Sequence, residues 1–133
     1  MTPAYPKPTA TKKKKRKKLQ PLPKLLKKVQ VVFNTWIRNR DKDETCISCR
    51  GKVAQAGHYI SRGSSSHLRF NEDNVHGQCA GCNLFKSGNI VEFRFGIIKK
   101  IGFKRVHKIE EQRHDIKSWK RDELMKLLEK YKS

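Results

Sequence analysis

Two pairs of cysteines stand at the same tight spacing, Cys46-Ile-Ser-Cys49 and Cys79-Ala-Gly-Cys82. A C-x2-C knuckle aims two thiolates at one point, and two knuckles complete the tetrahedral S4 set of a structural zinc, with Zn–S bonds of about 2.3 Å. Two disulfides, or four unrelated thiols, are the alternatives. No apolar run reaches membrane-span length and no apolar signal stretch opens the chain, so the protein is expected to stay in the reducing cytoplasm, where paired thiols favour metal. The 29 residues between the knuckles exceed the roughly 15 to 20 of a zinc ribbon, so a further piece is inserted there. In and just after that insert lie His58, Asn74, Asn83 and Lys86: one titratable base, two amides and a cation.

The string N-V-H-G-Q-C-A-G-C-N-L-F-K-S-G-N, Asn74 to Asn89, resembles the second half of an HNH endonuclease motif. In that motif an Asn precedes the first Cys of a C-x2-C by five positions, and a metal-binding His or Asn follows the second Cys. The strings A-G-H-Y, L-R-F-N-E, Q-C-A-G-C-N and K-S-G-N narrow the resemblance to the NinG (Rap) recombination endonuclease family of lambdoid phages. It runs from about Val29 to Leu128 and leaves out the basic N-terminal arm. The resemblance implies an α+β fold: a small ββα-metal (HNH-like) core with the four-Cys zinc site, flanked by an N-terminal helix and C-terminal helices. It also implies a divalent-metal-dependent endonuclease acting on branched recombination intermediates such as Holliday junctions and D-loops.

Phosphodiester hydrolysis needs a base for water, neutralisation of phosphoryl charge and stabilisation of the departing 3′-oxygen. His58, with a reference pKa near 6.5, takes a water proton at neutral pH if a carbonyl holds its other ring nitrogen. Asn74 is expected to position it indirectly, by bonding backbone across the hairpin. Asn83 offers a hard carbonyl oxygen for Mg2+ or Mn2+. Lys86, Arg62 and Arg69 are candidates for phosphate contact, the arginines otherwise being solvated surface. Many HNH enzymes carry an acidic metal ligand where this chain has Gly57. Glu72 or Asp73 offers a second carboxylate, although each reads more readily as a surface charge. His67, His76, His107 and His114 are read as packing or surface residues.

These residues need a scaffold, and the 133-residue length suits one domain with extensions. Lys and Arg number 32 against 12 acids, a formal charge of +20, the footprint of a polyanion binder; an anionic membrane is the weaker alternative. Residues 1–28 hold 11 basic side chains and no acid, which leaves 21 minus 12, or +9, on the remainder. Residues 1–20 read as a disordered basic arm whose run Lys12, Lys13, Lys14, Lys15, Arg16, Lys17 and Lys18 either grips phosphates or is merely solvated. Residues 21–133 read as a zinc-stabilised HNH-like nuclease domain. Within it the spacing of Leu25, Leu26, Val29, Phe33, Trp36 and Ile37 predicts a helix over 23–40. The zinc and ββα core spans 41–89, with short strands at Ala56 to Ile60 and Leu68 to Phe70. Helices follow at Ile90 to Ile101, closed by Gly102, then at Phe103 to Arg113 and Trp119 to Tyr131.

The expected partners are branched DNA and a second copy in a homodimer through the helices after Ile90, with no membrane and no small-molecule cofactor. The expected location is the cytoplasm of a bacterial or phage-infected cell, in association with the nucleoid. Two rival readings remain: a noncatalytic zinc module that binds DNA, and an HNH nuclease with sequence specificity.

Overall fold

A computed structural model describes residues 19–132. The expected basic arm, Lys12 to Lys18 included, lies outside the described residues. The first helix, α1, is Leu22–Arg40, entered through Pro21, with Pro23 in its first turn, where a missing N–H costs nothing. Its stripe Leu25, Val29, Phe33 and Ile37 is buried and meets the last helix, α4 (Arg121–Tyr131). There Phe33 lies edge-on to Tyr131 at 4.9 Å and to Phe70 at 5.7 Å, geometries that suit the ring quadrupoles.

Against α1 packs a two-stranded antiparallel sheet, β1 (Gln55–His58) and β2 (Val75–Gln78), with Gln55 opposite Gln78 and His58 opposite Val75. Val75 joins the α1–α4 core. A second core gathers Tyr59, Leu68, Phe93, Ile97, Val106 and Ile109 around helices α2 (Ile90–Ile101) and α3 (Phe103–Glu111). Gly102, at φ 91°, makes the break between them, a left-handed value that costs glycine little. No described helix is long and apolar enough to cross a membrane.

The hairpin differs from expectation in its second strand. Leu68 to Phe70 alternates like a strand, yet Leu68 enters one core and Phe70 the other. Its amides turn to local partners, Leu68 N–H to Ser65 O at 3.3 Å and Arg69 N–H to Ser66 O at 3.4 Å, in place of a ladder. The partner strand is Val75–Gln78, whose inward side chains include His76 and Gln78. The first strand ends at His58, before Ile60, because Tyr59 and Ile60 turn their amides toward Asn74. Helices α3 and α4 are also shorter than expected. Trp119 stays in the linker, donating its ring N–H to Ser66 O at 2.9 Å.

Candidate metal centre and adjoining cleft

The four thiols come from the loop after α1 and from the end of β2. Cys46 N–H donates to Gly51 O at 2.7 Å and Arg50 takes a positive φ of 66°, which closes the first knuckle. The Sγ atoms of Cys46, Cys49, Cys79 and Cys82 all lie within 4.8 Å of one another, with Cys49 and Cys79 at 3.5 Å. A tetrahedron with bonds of about 2.3 Å has edges near 3.8 Å, so the cluster fits a soft tetrahedral ion such as zinc. Gly51 N–H points at Cys49 Sγ and Cys82 N–H at Cys79 Sγ, both at 3.4 Å. The latter bond pulls the Cys79 thiol down to about 7, toward the thiolate that a metal needs.

Beyond the second knuckle the chain makes one wide helical turn, Gly81–Phe85. It carries Asn83 to the rim of a cleft of about 590 Å3, which His58 lines from the end of β1. His58 Nε2 bonds Arg69 O at 3.0 Å. That carbonyl can only accept, so Nε2 bears the proton and Nδ1 keeps its lone pair; Nδ1 has no partner among the described residues. Burial foremost, then the Arg62 and Arg69 charges, hold the ring below its usual 6.5 against the pull of the carbonyl. Near pH 7 it is a neutral base.

Asn74 is fully buried and does not line the cleft. Its Oδ1 accepts Ile60 N–H at 2.8 Å, and its Nδ2 donates to Ile60 O at 2.9 Å and Leu68 O at 3.2 Å. It thereby ties Ile60 to Leu68, the neighbour of the Arg69 whose carbonyl holds His58. Asn83 Nδ2 donates to Gln55 Oε1 at 2.6 Å, which leaves its Oδ1 for a hard cation. Arg62 lines the cleft. Lys86 is exposed just past the Asn83 turn, outside the lining. Arg69 turns away: its Nε donates to Gln30 Oε1 at 2.7 Å and its guanidinium covers Phe70.

Three further residues converge on the cleft that sequence order did not bring together. Asn34 arrives from α1, and Arg113 and His114 from the α3–α4 linker. His114 therefore stands at the cleft and not on a remote surface. No aspartate or glutamate is among the lining residues. Glu72 bonds Tyr131 and faces Lys130, and Asp73 pairs with Arg105. Neither reaches the cleft, so the optional second carboxylate is not supplied by them.

Gly57 has its own cause. A Cβ there would run into Gln78 Oε1. Gln78 is buried, with its amide N–H groups on Ser48 Oγ at 2.9 Å and Gly88 O at 2.5 Å. Position 57 is thus roofed by a glutamine of the neighbouring strand.

A buried polar group that no periodicity announced ties the elements together. Asp41, just past α1, accepts from Gly77 N–H at 2.8 Å, Lys100 Nζ at 3.0 Å and Arg40 at 2.8 Å. Burial pushes its carboxyl up, but these three donors outweigh it and hold the group at about 2. His76 sits beside it as a packed residue, Nε2 bonding Asp73 O at 2.7 Å and Nδ1 facing Lys100 at 3.2 Å and Arg40 at 3.3 Å.

The family model of the bacteriophage lambda NinG protein matches residues 6–133. The chain belongs to the NinG family. It is 39% identical over 116 residues to protein ninG of Escherichia phage lambda, which covers 85% of this chain and 56% of that protein. The corresponding protein of Salmonella phage P22 is 38% identical over 116 residues, 85% of this chain and 57% of its own. The chain thus spans little more than half the length of these relatives. The NinG match begins well before Val29, so family likeness takes in the basic arm that the motifs alone had left out. No solved structure matches the chain.

Proposed function

We propose that the chain is an HNH-type endodeoxyribonuclease of the ββα-metal class, acting with Mg2+ or Mn2+ on branched recombination intermediates such as Holliday junctions and D-loops. One observation carries the reading: His58, its Nε2 tied to a backbone carbonyl and its Nδ1 without a partner among the described residues, shares a cleft with Asn83 beside a four-thiol frame. In this scheme Nδ1 takes a proton from water as its oxygen attacks phosphorus, and the P–O3′ bond breaks. Arg62 and Arg113 neutralise the phosphate on the cleft walls. A divalent ion at Asn83 Oδ1 would supply Lewis-acid stabilisation of the phosphoryl and leaving oxygens. Zinc at the cysteines would tie the Asn83 turn to the loop after α1. The substrate class rests on the family resemblance, as does a homodimer able to make paired cuts.

A noncatalytic DNA-binding module is the second reading, favoured by a cleft without a carboxylate. Four-way junctions and linear duplexes incubated with Mg2+ or Mn2+ separate the two. The wild type is expected to nick, and His58→Ala to bind the same DNA while losing at least about a hundredfold in rate, as for a missing general base. Equal nicking by both proteins would remove His58 as the base, and intact DNA under every condition would favour the binding module.

A further inference from the structure

Phe85 is 84% exposed and Leu84 61%, on the same five-residue turn as Asn83. Such side chains are costly to leave in water without a partner, and here they are held out by a firm base. Cys82, the buried residue of the turn, belongs to the thiol cluster. Asn83 N–H bonds Cys79 O at 3.1 Å, and Gly88 N–H bonds Cys82 O at 2.9 Å. The ring is presented with little backbone entropy left to lose, the condition under which a lone aromatic binds well.

The charge around the turn points to its occupant. Between Asp73 and Glu92 the one formally charged side chain is Lys86, and the adjoining cleft lining adds Arg62 and Arg113 with no carboxylate. A second copy docking turn against turn would oppose like charges, whereas a nucleic acid brings phosphates for Lys86 and Arg62 and flat apolar bases for Phe85. The ring has no donor or acceptor with which to read a base edge. In a continuous duplex only edges are accessible, because each base face is covered by its neighbours. A benzyl group can wedge into a continuous duplex only by unstacking a base step, at about a few kcal/mol, whereas at a branch, a gap or an unpaired base the face is already uncovered.

We infer that Phe85, with Leu84 beside it, stacks on an unstacked base next to the phosphate held in the His58–Asn83 cleft, and so biases the protein toward branched over continuous DNA. This rests on the proposed nuclease reading for the identity of the cleft, but its test is a binding ratio. Zinc-loaded wild type, Phe85→Ala and Phe85→Trp are titrated, without Mg2+, against a four-way junction carrying 2-aminopurine at the branch and against a linear duplex of equal length.

Phe85→Ala is expected to lose about tenfold in junction affinity, as for one stacking contact, with linear affinity unchanged and the 2-aminopurine signal abolished. Phe85→Trp should keep both junction affinity and signal. Equal losses on both DNAs, no loss on either, or a wild-type dimer that Phe85→Ala converts to monomer would overturn the inference. If the wild type cuts DNA with Mg2+ while the binding ratio is indifferent to Phe85, stacking alone falls. If it binds with the expected ratio but cuts nothing, the nuclease reading alone falls.

Discussion

Gly57 and Gln78 form a pair in which each residue makes sense of the other. Gln78 Oε1 is buried without a hydrogen-bond partner among the described residues and lies over the Gly57 Cα, where a side chain would begin. The amide cannot simply flip, since Gly88 O accepts from its nitrogen. Gly57→Ala in the zinc-loaded protein is therefore expected to cost about 1–3 kcal/mol, the usual penalty of overpacking. On a Gln78→Ala background the same change should cost close to nothing, and that difference is a coupling energy measurable by urea denaturation of the four proteins. Additive costs would mean that the glutamine yields freely and that some other constraint keeps position 57 bare. The same contact leaves no room for an acidic side chain at Gly57 while Gln78 is in place.

At the scale of elements, α1, β2 and α2 meet at His76 rather than at an apolar side chain. Its Nδ1 faces both Lys100 and Arg40, and its Nε2–H is given to Asp73 O, so the folded protein accommodates only the neutral ring. Burial first, then the Lys100 charge, lowers it to about 4 from 6.5. Between those values the unfolded chain binds a proton that the folded chain refuses. The His76 contribution is thus fully present above about pH 6.5 and is lost as pH falls toward 4, by up to about 3 kcal/mol. Asp41, depressed to about 2, adds a loss below about pH 4. Urea midpoints measured from pH 7.5 to 4.5 should fall steeply for wild type and more gently for His76→Gln, with any acid release of zinc common to both. Parallel curves would contradict the assigned tautomer. This junction also marks where sequence stops being legible. The α1 stripe and the cysteine knuckles are local patterns, readable from spacing. β2 is not, because His76 and Gln78 face inward on partners up to 36 residues away, while Leu68 and Phe70 imitate a strand and serve two cores. His58, Asn74 and Asn83 could be singled out by motif, whereas Asn34, Arg113 and His114 reach the cleft only through tertiary folding.

For the molecule as a whole, positive charge is abundant, and among the described residues no carboxylate of the kind that normally attracts a divalent ion lines the cleft. Of the formal +20, +9 remains beyond residue 28, and Arg62 and Arg113 line the cleft itself. One amide oxygen, from Asn83, cannot hold a hard dication against that field, since Mg2+ and Mn2+ sites ordinarily rely on carboxylates or substrate phosphates for charge. Under the proposed nuclease reading the scissile phosphate must therefore bring much of the metal's ligand field, and metal and DNA must strengthen each other's binding by the same factor. Mn2+ titrated into zinc-loaded His58→Ala protein alone, followed by the paramagnetic resonance of free Mn2+, should show binding no tighter than the millimolar range. With a saturating four-way junction, after subtracting the junction's own uptake, one site should tighten by about tenfold or more, a coupling of ordinary size. Asn83→Ala should abolish that gain while leaving the zinc content unchanged. A micromolar Mn2+ site in the DNA-free protein, lost on Asn83→Ala, would show instead that the cleft is a preformed metal centre.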